Sequence, residues 1–260
     1  MLDIQWRSAF GYGDFVTGLG YAHGASIKYE TDVQLTFHWD QDLDHKEHPG
    51  ETETIVERMY YVYNTMTPLE NVIVKHNTNS KLDYRFINNL DEFNPLHGLW
   101  YSSLLNTTNN TVVLWRSKYN TFFPGMQKDP ACNDWDYIIK KLIDSGYDVR
   151  EVTYRTPINE VMELIRTCKF GIGYDGLIHQ LYKFMWKPLI VVCQRHSLNR
   201  LLIPQAALVS NCEQLFEKGV TNLVNESMNR CAIIREQHKN WMSDKQVAFK
   251  HDLFNKKIGK

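Results

Sequence analysis

The stretch from Thr167 to Val192, TCKFGIGYDGLIHQLYKFMWKPLIVV, constrains what this chain can fold into more than any other. Phe170 to Gly173 is a short apolar run that passes through Tyr174-Asp175-Gly176 into a segment with helical spacing opening at His179. Lys187-Pro188 closes that segment, because proline cannot continue a helix, and the β-branched run Leu189 to Val192 follows. An apolar run with no polar alternation must be covered on both faces, so strand, glycine turn, helix, proline stop and strand together read as a βαβ unit in a parallel sheet. Asp175 and His179 then fall at the carboxyl end of a strand and the start of a helix. Such sheets bind ligands there, and helical N–H groups favour anions.

The same grammar recurs along the chain. Leu2 to Trp6 reads as a strand, Gly11-Tyr12-Gly13 as a glycine turn, Asp14 to about Tyr29 as a helix and Val33 to Phe37 as the next strand. Glu51 to Thr65 has helical spacing, Pro68 stops it, and Asn71 to Val74 is a strand. The polar turn formers from Asn106 to Asn110 mark a linker. After it come strand Thr111 to Trp115, helix Trp135 to Ser145 ended by Gly146, strand Asp148 to Tyr154, helix Pro157 to Cys168, the opening stretch, and a last helix over Glu226 to Met242. Two successive βαβ-rich halves predict an α/β fold of two facing Rossmann-like domains with parallel sheets. The expected division is 1–108, 109–225, and a closing helix with a basic tail over 226–260.

Composition excludes several classes. In 260 residues, a hydrophobic fraction of 43% is enough for a real core, and a net charge of −1 points to neither nucleic acid nor a membrane surface. The five cysteines are odd in number and contain no CxxC pair, which argues against a zinc ribbon or disulfide framework and for a reducing, cytoplasmic setting. Cys168 and Cys193 sit in apolar contexts and read as core residues. No run approaches the ~20 apolar residues of a membrane span. P-loop, HExxH and GxSxG motifs are absent from the sequence.

Four places carry residue types that do chemistry. Gly13-Asp14 reads either as a helix N-cap or as a carboxylate placed to act as general base on an acceptor hydroxyl. Asp175-Gly176-Leu177-Ile178-His179 reads either as a cap with a structural histidine or as a diphosphate cradle at a helix start. Arg116-Ser117-Lys118 follows a strand, where two cations and a hydroxyl either grip phosphate or form a solvated loop. The run His38, Asp40, Asp42, Asp44, His45 and His48 is either a solvated loop or, with a sugar-nucleotide diphosphate, a Mg²⁺ or Mn²⁺ site of the kind used by GT-A enzymes. The lysines from Lys245 to Lys260 read as a solvated tail or, with Arg195, His196 and Arg200, as a nucleic-acid contact.

Two of these places together resemble the heptosyltransferase-like glycosyltransferases (family 9, GT-B fold). The resemblance rests on Gly13-Asp14-Phe15-Val16-Thr17 near the start and, late in the chain, on Gly173-Tyr174-Asp175-Gly176-Leu177-Ile178-His179 and Trp186-Lys187-Pro188-Leu189-Ile190-Val191, two islands in the expected order and separation. Aligned on Gly176-Leu177-x-His179, the chain carries Asp175 where the family has Ser or Thr and Tyr174 where it has Asp. The resemblance implies a metal-independent transferase that needs no cofactor and takes a nucleotide sugar as co-substrate. Asp14 would be the base. Gly13, Arg116, Ser117, Lys118, Asp175, Gly176, Leu177 and His179 would hold the donor. It implies a saccharide acceptor; the Asn-, Lys- and Tyr-rich composition and short length also suit a phage-type member acting on a hydroxymethylated base in DNA. The shifted carboxylate at Asp175 supports the alternative, a non-catalytic nucleotide- or sugar-binding protein with a decayed GT-B site.

Overall fold

The computed structural model of the chain describes residues 1–7, 12–38, 55–65, 71–77, 109–116, 135–153, 155–173, 177–185, 187–192 and 205–241. It is an α/β protein with parallel sheets of three and five strands. The chain divides into two compact units, Met1–Tyr101 with Ile234–Lys260, and Ser102–Ile233.

In the first unit, β1 (Leu2–Arg7), β2 (Val33–His38) and β3 (Val72–Asn77) lie side by side in that order, all parallel. The connections are α1 (Tyr12–Tyr29) and α2 (Ile55–Thr65). Val33, Leu35 and Phe37 are buried while Gln34 and Thr36 are only partly covered, the period-2 signature of a strand packed on one side. Phe15 of α1 meets Phe37 edge to face, with ring centroids 5.0 Å apart.

A glycine inside a helix needs a reason, and Gly18 has one. A Cβ there would stand 2.9 Å from both Cδ1 and Cγ of the Trp6 indole. That indole is buried and backed by Tyr21, ring centroids 5.3 Å apart, so it has little room to yield. Alanine would gain about 1 kcal/mol of helix propensity, against about 1–3 kcal/mol for overpacking. Gly18→Ala is therefore expected to lower the thermal midpoint modestly; a rise in a melting scan would show that the indole moves aside.

The second unit holds β4 (Thr111–Trp115), β5 (Asp148–Val152), β6 (Phe170–Gly173), β7 (Leu189–Val192) and β8 (Ala207–Val209), ordered β5-β4-β6-β7-β8 and all parallel. Its helices are α3 (Trp135–Asp144), α4 (Ile158–Thr167), α5 (Leu177–Phe184) and α6 (Cys212–Lys218), with α7 (Val220–Trp241) passing from this unit into the first at Ile234. β6, β7 and β8 are buried at every residue, as strands covered on both faces must be. Val112, Leu114, Phe170, Ile172, Ile190 and Val192 pack with Trp135, Ile138 and Leu142 of α3 and Leu215 of α6. α3 and α6 touch through an edge-to-face contact of Tyr137 with Phe216.

Several boundaries differ from the sequence reading. α5 opens at Leu177 rather than His179, and α1 at Tyr12 rather than Asp14, so Asp14 lies in the first turn instead of at the N-cap. The last helix begins at Val220, not Glu226, because Gly219, at φ +78°, turns the chain straight out of α6. Strand β8 and helix α6 were not anticipated; three residues are too few to show a period. Cys168 and Cys231 are buried thiols, whereas Cys212 is disulfide-bonded, which the reading against a disulfide framework did not anticipate. No helix among the described residues is long and apolar enough to cross a membrane.

Candidate functional site

The strand order of the second unit decides where a ligand belongs. From β4 the chain crosses through α3 to β5 on one side; from β6 it crosses through α5 to β7 on the other. Where neighbouring parallel strands send their connections in opposite directions, the loops part and leave a crevice at the carboxyl ends. That point is the β4/β6 pair, closed by the register partners Trp115 and Gly173. A Cβ on Gly173 would run into the Trp115 carbonyl oxygen, well inside van der Waals contact, and would lie 3.1 Å from the Trp115 Cβ. The glycine thus lets two backbones close up at the mouth of the crevice.

The two donor-site candidates of this unit come to these adjacent strand ends. Arg116 follows β4 directly; Nη1 donates to Asp136 Oδ1 at 2.8 Å and Nε donates to Glu151. The hydrogen bond it donates to Glu151 chiefly, with that to Asp136, holds the guanidinium pKa above its ordinary value. A phosphate at Arg116 competes with two carboxylates, but Asp136 is 86% exposed, and exchanging an exposed pair of that kind costs only about 0–1 kcal/mol. Beyond β6, Leu177 opens α5 and His179 stands in its first turn, fully buried. Ser117, Lys118, Asp175 and Gly176 lie outside the described residues.

In the first unit, Gly13 and Asp14 occupy the first turn of α1, where the helix dipole favours a carboxylate. Of the His38–His48 run only His38 is described: it is buried and its Nε2 shares a hydrogen bond with Gln5 Oε1 at 2.6 Å. The rest of that run, Arg195, His196, Arg200 and the terminal lysines lie outside the described residues.

Sequence reasoning missed the side chains that fix α5. Tyr182 packs closely on β6: a Cβ on Gly171 would overlap its ring and stand 2.6 Å from its hydroxyl oxygen. That hydroxyl is 3.2 Å from the Cys168 sulfur, and Lys187 Nζ donates to the Cys168 carbonyl at 2.9 Å. Burial pushes the Cys168 thiol and the Tyr182 phenol up in pKa, which keeps both protonated, and the Lys187 amine down; the three form a structural group at the amino edge. Nearby, Ser227 accepts from the Leu189 amide and donates to the Gln205 carbonyl, tying α7 to the starts of β7 and β8. Lys183 was missed as well: it is fully buried, and burial brings its amine down to about 7. A polar residue at that position of an amphipathic pattern reads as solvated, and nothing in the sequence signals otherwise.

An open depression of about 330 Å³, lined by Leu142, Tyr147, Phe216 and Val220 among others, lies at the amino edge of the same sheet, away from the crevice. No known protein family, curated protein or solved structure matches the chain.

Proposed function

We propose that the chain is a glycosyltransferase of GT-B type that moves a sugar from a nucleotide-diphosphate donor to an acceptor hydroxyl. The observation that carries this reading is the switch point of the five-stranded sheet, with Gly173, the start of α5 and Arg116 at neighbouring strand ends. A diphosphate there meets the free N–H groups of a helix start and a guanidinium, which stabilise it as it leaves the sugar. The resemblance assigns Asp14 as the base that takes the acceptor hydroxyl proton as the bond from the anomeric carbon to the diphosphate breaks and the bond to the acceptor oxygen forms.

The two carboxylates already on Arg116 favour one other reading, a protein that binds nucleotide sugars without turning them over. Calorimetry and turnover assays of the full chain with UDP-, GDP-, ADP- and dTDP-sugars separate the two. Transfer or hydrolysis is expected with one donor, and Asp14→Asn is expected to slow it by about 10²–10⁴-fold while leaving donor affinity near wild type. Binding without turnover selects the second reading, unchanged turnover removes Asp14 as base, and binding of no donor ends both. Turnover that stops with EDTA and returns with Mn²⁺ would move the chemistry to a metal-dependent mechanism.

A further inference from the structure

The depression at the amino edge of the five-stranded sheet takes no part in the donor site, and it has walls of its own. Leu142 of α3, Tyr147, Phe216 of α6 and Val220 of α7 make it apolar, and its volume of about 330 Å³ is at the small end for ligand pockets. Both rings are held from behind. Tyr147 stands edge to face on the buried Phe170, with centroids 5.4 Å apart, and Phe216 stands edge to face on Tyr137 at 5.3 Å. A ligand entering here does not have to order these side chains, a cost that binding otherwise carries.

The polar part of the lining has one sign. Lys141 is its only charged residue; Nζ lies 5.5 Å from the Tyr137 ring centroid and meets no carboxylate among the described residues. Helix α7 starts on the same wall. Its first helical bond runs from the Leu223 amide to the Gly219 carbonyl, so the amides of Val220, Thr221 and Asn222 have no partner within the helix. Gly219 brings no side chain to cap them, and the Asn222 side chain donates from Nδ2 to the Lys218 carbonyl at 2.9 Å. An ammonium and a helix start, with no carboxylate in the lining, favour a negative charge.

We propose that this depression is a second ligand site of the chain, taking a small monoanion that carries an apolar ring, of the arylcarboxylate class. The ring packs on Leu142, Tyr147, Phe216 and Val220, and the carboxylate meets Lys141 and the amides at the start of α7. One ammonium matches one negative charge. A diphosphate carries more charge than this lining balances and has no apolar surface to set against its walls. The inference stands apart from the donor-site reading, because the depression shares no residue with the crevice.

The test is calorimetry on the full chain with phenylacetate, phenylacetamide and acetate as probes. Phenylacetate is expected to bind saturably, in roughly the millimolar range open to so small a ligand. Phenylacetamide and acetate are each expected to bind about 10-fold more weakly or worse. Lys141→Met is expected to weaken phenylacetate by roughly 5- to 10-fold. Thr221→Glu puts a carboxylate in the first turn of α7, where it suits the helix dipole and repels the ligand. Binding should be lost in that variant while its melting midpoint stays at or above wild type. Absence of saturable phenylacetate binding overturns the proposal. So does equal binding of phenylacetamide, which removes the need for a charge, or of acetate, which removes the need for the walls. Phenylacetate binding undiminished in Lys141→Met, or in a Thr221→Glu variant that melts no lower than wild type, places the ligand elsewhere on the chain and overturns it as well.

Discussion

Gly173→Ala is expected to cost about 3 kcal/mol or more, a large effect for one methyl group. The new Cβ meets the Trp115 carbonyl, and backbone in the middle of a five-stranded sheet cannot swing away as a side-chain end can. β4 and β6 would have to separate, and their pairing holds the two faces of the core together. For a domain of this size the midpoint should fall by roughly 6–12 °C. Any nucleotide diphosphate binding should be lost with it, because the strained pair is the mouth of the crevice. Gly171→Ala offers a control two residues away. Its clash is with the ring and hydroxyl of Tyr182, so adding Tyr182→Leu should restore part of the lost stability. No side-chain substitution should rescue Gly173→Ala. Urea unfolding of the two single variants and the double variant measures this, and a Gly173→Ala midpoint within error of wild type would show that the strands part freely.

The second large effect concerns Lys183 and the pH dependence of stability. Burial brings its amine down to about 7, against 10.5 for an ordinary lysine. Between those values the unfolded chain keeps the proton and the folded chain does not, so stability rises with pH across that window, by up to about 1.4 kcal/mol per unit. Below pH 7 both states are protonated and the full cost of the buried charge is felt. Lys187, lowered by burial as well, adds in the same direction. The rise is opposed at higher pH. Cys168 and Tyr182 have folded pKa values raised by burial, so stability they contribute is lost once the unfolded thiol and phenol ionise, from about pH 9 and pH 10 upward. Tyr63 acts the same way, raised by burial and by Tyr60. A maximum near pH 9 is therefore expected in urea midpoints measured from pH 6 to 10. Lys183→Met should flatten the rise and add roughly 1–4 kcal/mol at pH 6–7. A less stable Lys183→Met with the slope intact would mean that the amine is charged and well satisfied in the folded chain.

Much of the fold was legible because its signals are local. Phe170–Gly173 and Leu189–Val192 are apolar at every position, and a run of that kind can only be a strand covered on both faces. Trp135–Asp144 stops where Gly146 adopts φ +83° and its amide returns to Ile143. The start of α7 was misplaced because polar residues dominate its first turns, and only the glycine before it marks the boundary. Of the candidate site, Gly173 at the end of β6 and the cation after β4 were visible as residue types at strand ends. That they belong to neighbouring strands was not visible, since pairing of β4 with β6 joins segments separated by β5 and two helices.

The sequence by itself determined most of the strands and helices, β8 and α6 excepted, and that the strands run parallel, because apolar periodicity, proline and glycine act within a few residues of one another. Only the tertiary structure decided the order β5-β4-β6-β7-β8, and with it the place where connections diverge. It also decided that His179, Gln180 and Lys183 are buried. The reason is the same in both cases: strand order and the burial of a polar helix face depend on what distant parts of the chain pack against, and no local pattern carries that information.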